Sequence, residues 1–400
     1  MPTKKALVCA PLMPEFDREG GSRRVLHLIE ALQRDGWSVT FFAENMSGTE
    51  RYVRLLQQRG VMVYGGPHSR GISADAYLSS PKTLLEDGGF DLVMVAFWYF
   101  AEALIPLIRT YAPQARIIVA SIDLHFLRQS RKVFSHKDDT RPPGALDQAY
   151  ASEMIRELNA YAAADGVLTV SQKEADLIND FLATPAQAKA VPDCEDLSVS
   201  PIPFAERKGI LFVGNFRHYP NVQAVAYLFE QLLPKLPPHV LHEHPVYVVG
   251  NGLDEAIGAK GQGMPHVKMV GWVPSLLPYY NKTRVSIVPL LHGAGTKRKV
   301  IESLSVGTPC VSTSIGAEGL DLQHGQHIWI GDTPAAFVAG ITRILHDEPL
   351  WHHLAQLGRA HIISRHGPEL LGSYLSKAVA SVMERVSSVA APSKSVCYEP

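Results

Sequence analysis

The stretch LLHGAGTKRKVIESLSVGTPCVSTSIGAEGL, residues 290–320, sets Lys297, Arg298 and Lys299 where a glycine-containing loop feeds a helical pattern. Cations in a first helical turn oppose the positive end of the macrodipole, at about 0.3–1 kcal/mol each. An anion of about two charges would account for them, because free N–H groups at a helix N-terminus already point at such a ligand. Gly295 shapes the loop and Thr296 is the expected cap. Glu302 falls three residues beyond Lys299 and four beyond Arg298, hence on their face. A carboxylate repels phosphate, so Glu302 suits neutral hydroxyls such as those of a ribose. Phosphate at the helix tip with sugar hydroxyls one turn along describes a nucleotide. A solvated basic turn with an internal Glu–Lys pair is the plain alternative.

Other segments end in similar chemistry. FVGNFRHYPN puts Gly214, Asn215 and Arg217 just after an apolar run, where backbone can approach phosphate and Arg217 can clamp it. VVGNG places Gly250 and Asn251 likewise, and VGWV places Gly271, Trp272 and Val273. EGGSRR gives Gly20 and Gly21 before a helix with Ser22 as its expected N-cap, a second donor site for phosphate or an attacking oxygen. SIDLHF ends a run with Asp123 and His125. By contrast, His239, His242 and His244 fall in a proline-flanked segment that lacks a fourth ligand and reads as a solvated loop. The charged segment at 128–143 also reads as a solvated loop, and Cys310 as a buried strand residue.

These residues need a scaffold, and the pattern supplies one. ALVCAPL, SVTFFAE, VMVYG, DLVMVAF, RIIVASI and GVLTV are short apolar runs alternating with helical patterns such as VLHLIEALQRDG. Alternating strands and helices imply a parallel sheet covered on both faces. The pattern lapses between about Val191 and Lys208, then restarts with GILFVGN, a helix from about Val222 to Leu236, VYVVGNG, VKMVGWV, VSIVPLL, PCVSTSI and IWIGD. Two helical segments follow, around Phe337 and His353. The expected division is 1–195 as a first Rossmann-like domain, 196–208 as linker and 209–372 as a second. Residues 373–388 read as a helix packing back on the first domain, and 389–400 as a disordered tail. Ligands of parallel α/β sheets sit outside the C-terminal strand ends, and in a tandem pair those edges can face one another.

Composition agrees with a globular chain of two domains: 400 residues, 46% hydrophobic and 19% charged. A net charge of −1 argues against a general polyanion binder, so no nucleic-acid partner is expected. Four scattered cysteines, Cys9, Cys194, Cys310 and Cys397, show neither metal spacing nor a disulfide framework. The N-terminus lacks the apolar core of a signal peptide and no run reaches the roughly 20 residues of a membrane span. A cytoplasmic protein is expected, with peripheral contact at the inner membrane face left open.

In the order FVGNFRHYPNV, VVGNG, VGWV, VPL…GAGTKRKVIESLSVGTPCVSTSIGAEGL, the chain resembles the C-terminal domain of retaining GT-B glycosyltransferases of family four. SRRVLHLIEALQRDGWSVTFF, IDLHFLRQSRK and ADGVLTVSQKEADLI resemble their acceptor domain, so the resemblance covers roughly residues 5 to 370. It implies an α/β GT-B fold, two Rossmann-like domains facing across a cleft. Many relatives carry two glutamates in this segment: the second matches Glu302, assigned to the ribose, while the first falls on Ala294. A subgroup has a glycine-glycine-threonine loop followed by basic residues, which this chain follows, although an arginine common there is Leu291. Both departures touch donor-sugar contacts more than nucleotide binding.

The resemblance implies a hexosyl or deoxyhexosyl transfer from a nucleotide-diphosphate sugar to a glycan, lipid-linked or protein acceptor, with retention, no metal and no cofactor. The enzyme must then stabilise charge on the departing diphosphate. Arg217, Lys297 and Lys299 are the candidates, with Gly21, Asp123 and His125 on the opposite side. Glu302, Gly214, Asn215, Gly250, Asn251, Trp272, Val273, Gly295 and Thr296 complete the expected donor site. A sugar-nucleotide epimerase and a non-catalytic partner subunit are the alternatives.

Overall fold

The apolar runs fold into two parallel sheets in a computed structural model that describes residues 4–67, 69, 77–134, 145–195, 201–252 and 255–385. The first sheet is formed by β1 (Lys5–Leu12), β2 (Ser38–Asn45), β3 (Met62–Gly65), β4 (Tyr77–Leu78), β5 (Leu92–Ala96), β6 (Arg116–Ala120), β7 (Gly166–Thr169) and β8 (Ala188–Ala190). Its order is β4-β3-β2-β1-β5-β6-β7-β8. The second is formed by β9 (Ile210–Val213), β10 (Val246–Val249), β11 (Val267–Gly271), β12 (Val285–Val288), β13 (Cys310–Ser312) and β14 (Trp329–Ile330), in the order β11-β10-β9-β12-β13-β14. Both are doubly wound, so each chain reversal leaves a crevice at the strand C-termini.

The central strands are buried because helices cover both faces. In the first domain Ala6, Val8 and Phe41 pack on one side and Leu7, Val93 and Ile117 on the other. The second domain centres on Phe212, Ile287, Val300 and Phe337. Cys9, Cys194 and Cys310 are free and buried, while Cys397 lies outside the described residues.

Several local expectations change. The first helix runs Gly20–Arg34, so Ser22 lies inside it and Glu19 takes the N-cap position. The Ser22 hydroxyl turns back to Glu19 rather than capping. The segment expected as one helix to Leu236 is α-helical over Tyr219–Tyr227, then a π turn over Leu228–Leu232 and a 3₁₀ turn over Leu233–Lys235. Pro234 lacks the N–H that a continued helix needs. The histidine segment is a short helix, Pro238–Glu243, followed by a fully buried His244.

The last helix, Pro368–Glu384, lies on the first domain. Its Leu371, Leu375, Ala378, Val379 and Val382 join the core that holds Ala6 and Val8. Gly166 makes room: a Cβ there would stand 2.6 Å from Val382.

The segment joining the domains is anchored at both ends. Arg207 is fully buried and donates to the Tyr280 carbonyl at 2.8 Å and to Thr308 Oγ1 at 2.7 Å. At the other end the Glu195 N–H donates to the His366 carbonyl at 3.0 Å, and His366 Nδ1 donates to the Asp193 carbonyl at 2.7 Å. Residues 196–200 of the expected linker and residues 386–400, which include the expected tail, lie outside the described residues.

Candidate donor-sugar site

Between the domains opens a cavity of about 370 Å³. Its walls in the second domain are strand ends: Val213, Gly214 and Asn215 after β9, Gly250 and Asn251 after β10, and Trp272 to Leu277 after β11. Gly250 has to be glycine, since at φ 149° a Cβ would sit 1.7 Å from the Gly214 carbonyl oxygen. Two strand ends therefore meet at van der Waals contact and expose backbone to the cavity. Tyr280, Glu302, Ser305 and Val306 close one side. The first domain contributes Phe16 to Gly20, Arg23 and Glu195, so the N-terminus of the helix Gly20–Arg34 opens here without an acidic first turn.

Glu302 enters the cavity already held. The Tyr280 hydroxyl donates to its Oε2 at 3.1 Å, and Arg23 Nη1 stands 3.7 Å from its Oε1. Its neighbours are thus a buried phenol and an arginine of the other domain, instead of the lysines one turn earlier.

The basic turn differs from expectation in three ways. First, the helix runs Arg298–Ser305 with Lys297 at the N-cap position, and no side chain caps it. The Thr296 hydroxyl instead donates to Asp193 Oδ2 at 3.1 Å, across the domain boundary. Second, Lys297 is buried and does not line the cavity: its Nζ donates to the Ala294 carbonyl at 2.9 Å and also to that of Gly295. Burial lowers its pKa to about 8. Third, Lys299 donates to Asn221 Oδ1 at 2.6 Å, and Asn221 in turn donates to the Asn215 carbonyl at 2.8 Å. That places the ammonium behind the Gly214–Asn215 turn, where burial brings its pKa down to about 7. Arg217 is exposed and lies outside the lining; its N–H donates to Asn215 Oδ1 at 3.1 Å and helps shape that turn.

Gly295 lies against the first domain. Its N–H donates to Glu174 Oε1 at 2.9 Å, and a Cβ would fall 2.9 Å from the Ile122 carbonyl oxygen and 3.0 Å from Asp123 Cβ. The Glu174 carboxyl is pushed up to about 7 by burial, with nearby Asp123 adding to the shift. Gly21 faces Ile122 as well, its missing Cβ 2.8 Å from Cδ1. Gly21, Asp123 and Gly295 thus gather around one residue, Ile122. Asp123 is paired with Arg128 at 2.5 Å and lies 3.4 Å from His125 Nε2. Burial lowers His125 to a pKa of about 4, against the pull of Asp123, so the imidazole is neutral at pH 7. Glu157 fixes its helix by accepting from the His125 and Phe126 N–H groups at 3.0 and 2.7 Å.

An ion-pair network unforeseen in the sequence spans the boundary. Arg24, 1% exposed, bonds Asp193 at 3.1 Å; Arg298 pairs with Glu195; and Arg23 reaches Glu195 at 3.2 Å. Burial favours the neutral acid at Asp193, yet the Arg24 and Arg298 guanidiniums outweigh it and hold the carboxyl below its ordinary range. Further out, Glu318 accepts from Arg131 Nη2 and Lys173 Nζ, each at 2.6 Å. Burial opposes ionisation there too, but these two cations keep the pKa at about 2.

Among the described residues one grouping has metal-compatible spacing, Glu243, His244 and His346. The Gly209 N–H donates to His244 Nδ1 at 3.2 Å, so the neutral ring carries its proton on Nε2, the nitrogen that faces Glu243. In that tautomer Nε2 offers no lone pair to a metal, and it lies 3.5 Å from Glu243 Oε1.

The same two-part organisation appears in comparisons with known proteins. Residues 19–194 match the glycosyl transferase 4-like domain, and residues 207–347 match glycosyl transferases group 1. The chain is a glycosyltransferase of GT-B type. Sucrose-phosphate synthase from Thermosynechococcus elongatus superposes with a TM-score of 0.69 at 16% identity, covering 96% of this chain and 100% of that one. HepE of Anabaena, in complex with UDP and glucose, gives 0.70 at 13% identity, covering 94% and 99%. An uncharacterised 44.6 kDa protein in the cps region of Klebsiella pneumoniae is 29% identical over 143 residues, which span 33% of this chain and 36% of that protein. Among the described residues of this glycosyltransferase, no helix is long and apolar enough to cross a membrane.

Proposed function

We propose that the protein transfers a hexosyl or deoxyhexosyl group from a nucleotide-diphosphate sugar to an acceptor hydroxyl, with retention and without a metal ion. The observation that carries this reading is the sequence of chemistries along one cavity. An apolar end of Trp272, Val273, Leu277 and Val306 suits a base, Glu302 suits ribose hydroxyls, and the helix opening at Gly20 suits a diphosphate. Of the solved relatives, HepE is known in complex with UDP-glucose, which supports a nucleotide sugar as donor.

Departure of the diphosphate concentrates negative charge on its leaving oxygen. Lys299, behind the Gly214–Asn215 turn, and the amides of Gly20 and Gly21 are the groups assigned to stabilise it. Asp123 and the neutral His125 lie next to the Gly295 loop and are assigned to the transferred sugar and the incoming hydroxyl. Lys297 is assigned to the loop that carries them. The acceptor hydroxyl is assigned to a glycan, a lipid-linked glycan or a protein.

A thermal-shift panel of nucleoside diphosphates and their sugars, followed by product analysis with a labelled donor in excess chelator, tests this. Stabilisation by one nucleotide family and transfer of label with retained anomeric configuration are expected. Isomerised donor without transfer would indicate an epimerase. Binding without turnover would indicate a partner subunit, and activity that returns only with a divalent cation would overturn metal independence.

A further inference from the structure

The cavity lining contains four carboxylates, Asp17, Glu19, Glu195 and Glu302, against three guanidiniums, Arg18, Arg23 and Arg298. A diphosphate entering so acidic a lining is repelled unless one cation weighs more than its count. Arg298 is already sunk against Glu195 and Asp193, with 12% of its side chain exposed. Arg18 donates to Glu15 at 3.0 Å and lies 5.7 Å from the Trp272 ring, at the apolar end. Arg23 remains: it has 39% of its side chain exposed, and it sits in the first turn of the helix whose N-terminus opens into the cavity.

We infer that Arg23 binds the diphosphate of the donor from the opposite domain, while its other edge screens that diphosphate from Glu302. The geometry divides the guanidinium accordingly. Both of its hydrogen bonds run through Nη1, to Glu195 Oε1 at 3.4 Å and Oε2 at 3.2 Å, and the same nitrogen is 3.7 Å from Glu302 Oε1. A guanidinium is a planar fork of five N–H donors, so Nε and Nη2 present the phosphate-binding edge. Arg23 thereby separates the carboxylate that reads the ribose from the diphosphate carried on the same ribose. It also makes donor affinity depend on a closed cleft, because Arg23 and Glu302 belong to different domains. This role rests on the nucleotide-sugar reading above.

Isothermal titration of UDP, GDP and their parent nucleosides into wild-type, Arg23→Gln and Arg23→Lys protein tests it. Against the diphosphate that wild type binds, Arg23→Gln should lose about tenfold or more in affinity and Arg23→Lys less. Nucleoside affinity should change less than about twofold, because a nucleoside brings no charge to Arg23. Unchanged diphosphate affinity would overturn the inference, as would a parallel loss for the nucleoside, which marks a residue that merely holds the cleft in shape. If wild type binds no nucleoside diphosphate in the wider panel, the donor-site reading fails together with this one. Should Arg23→Gln fold poorly, Arg23→Lys carries the same comparison with the charge retained.

Discussion

The Tyr280 hydroxyl donates to Glu302 Oε2 at 3.1 Å from a ring that is 2% exposed. Burial, with the Glu302 carboxylate adding to it, raises the Tyr280 pKa well above its ordinary value, so the phenol remains a donor. One carboxylate oxygen is thereby immobilised and the other is turned toward Arg23 and the cavity. Glu302→Ala should weaken nucleoside diphosphate binding by about 1–3 kcal/mol, the scale of a hydrogen bond to a charged group. Tyr280→Phe should cost less, because the carboxylate survives and only its orientation loosens. Calorimetric titration of both variants checks this; equal affinities across the series would exclude Glu302 from the nucleotide.

Lys299 should give donor binding a pH dependence. Burial lowers its pKa from 10.5 to about 7, so in the empty cleft the ammonium is lost as pH rises through that value. An anion binds the charged form, so affinity should fall with rising pH, most steeply around pH 7. Lys299→Arg keeps the charge throughout. The ratio of wild-type to Lys299→Arg affinity should therefore decline across about pH 6–8, a comparison that cancels ionisation of the phosphate itself. A flat ratio would mean that this ammonium does not meet the anion.

Lys297 should matter for stability in the empty protein. Its ammonium serves the carbonyls of Ala294 and Gly295 in a buried loop, and an unsatisfied buried acceptor costs about 1–3 kcal/mol. Lys297→Met should therefore melt lower than wild type without any nucleotide present. An unchanged or higher melting temperature would show that the loop holds its form without the ammonium.

Arg24 and Asp193 form the most deeply buried ion pair described. Arg24→Met leaves the Asp193 charge short of a partner and should cost about 3–5 kcal/mol in denaturant unfolding. The pair Arg24→Met with Asp193→Leu should cost less than the two single changes added together. Because the Asp193 carboxyl is held below its ordinary value of 3.8, its share of stability is complete above that pH and fades as pH falls through the lowered value.

The fold and the strand-end wall of the cavity were legible because their signals are local. Gly214, Gly250 and Trp272 each follow an apolar run, and strand-then-glycine spacing places them at strand ends whatever surrounds them. Capping was misread at Ser22 and Thr296, since a hydroxyl near a helix start is only a local preference and both found other partners. Arg23 and Glu195 carried no signal at all, and Arg298 was legible only as one cation of the basic turn. Their pairing joins residues 172 and 103 positions apart, and a guanidinium beside glycines reads as solvated surface until the second domain is brought against it. Strands β4 and β8, of two and three residues, are too short to show periodicity.

The return of helix Pro368–Glu384 to the first domain has a consequence for how such a chain can be recombined. Residues 193–195 leave that domain beside His366, where the chain re-enters, and the two crossings are bonded to each other. Topologically the second domain is an insertion into the first, not an appendage to it. A hybrid made at one junction after residue 195 would import a foreign final helix and set it against Gly166 and the β1 core, a mismatched graft that should fold poorly. A cassette exchanged at both crossings would keep each core with its own helix.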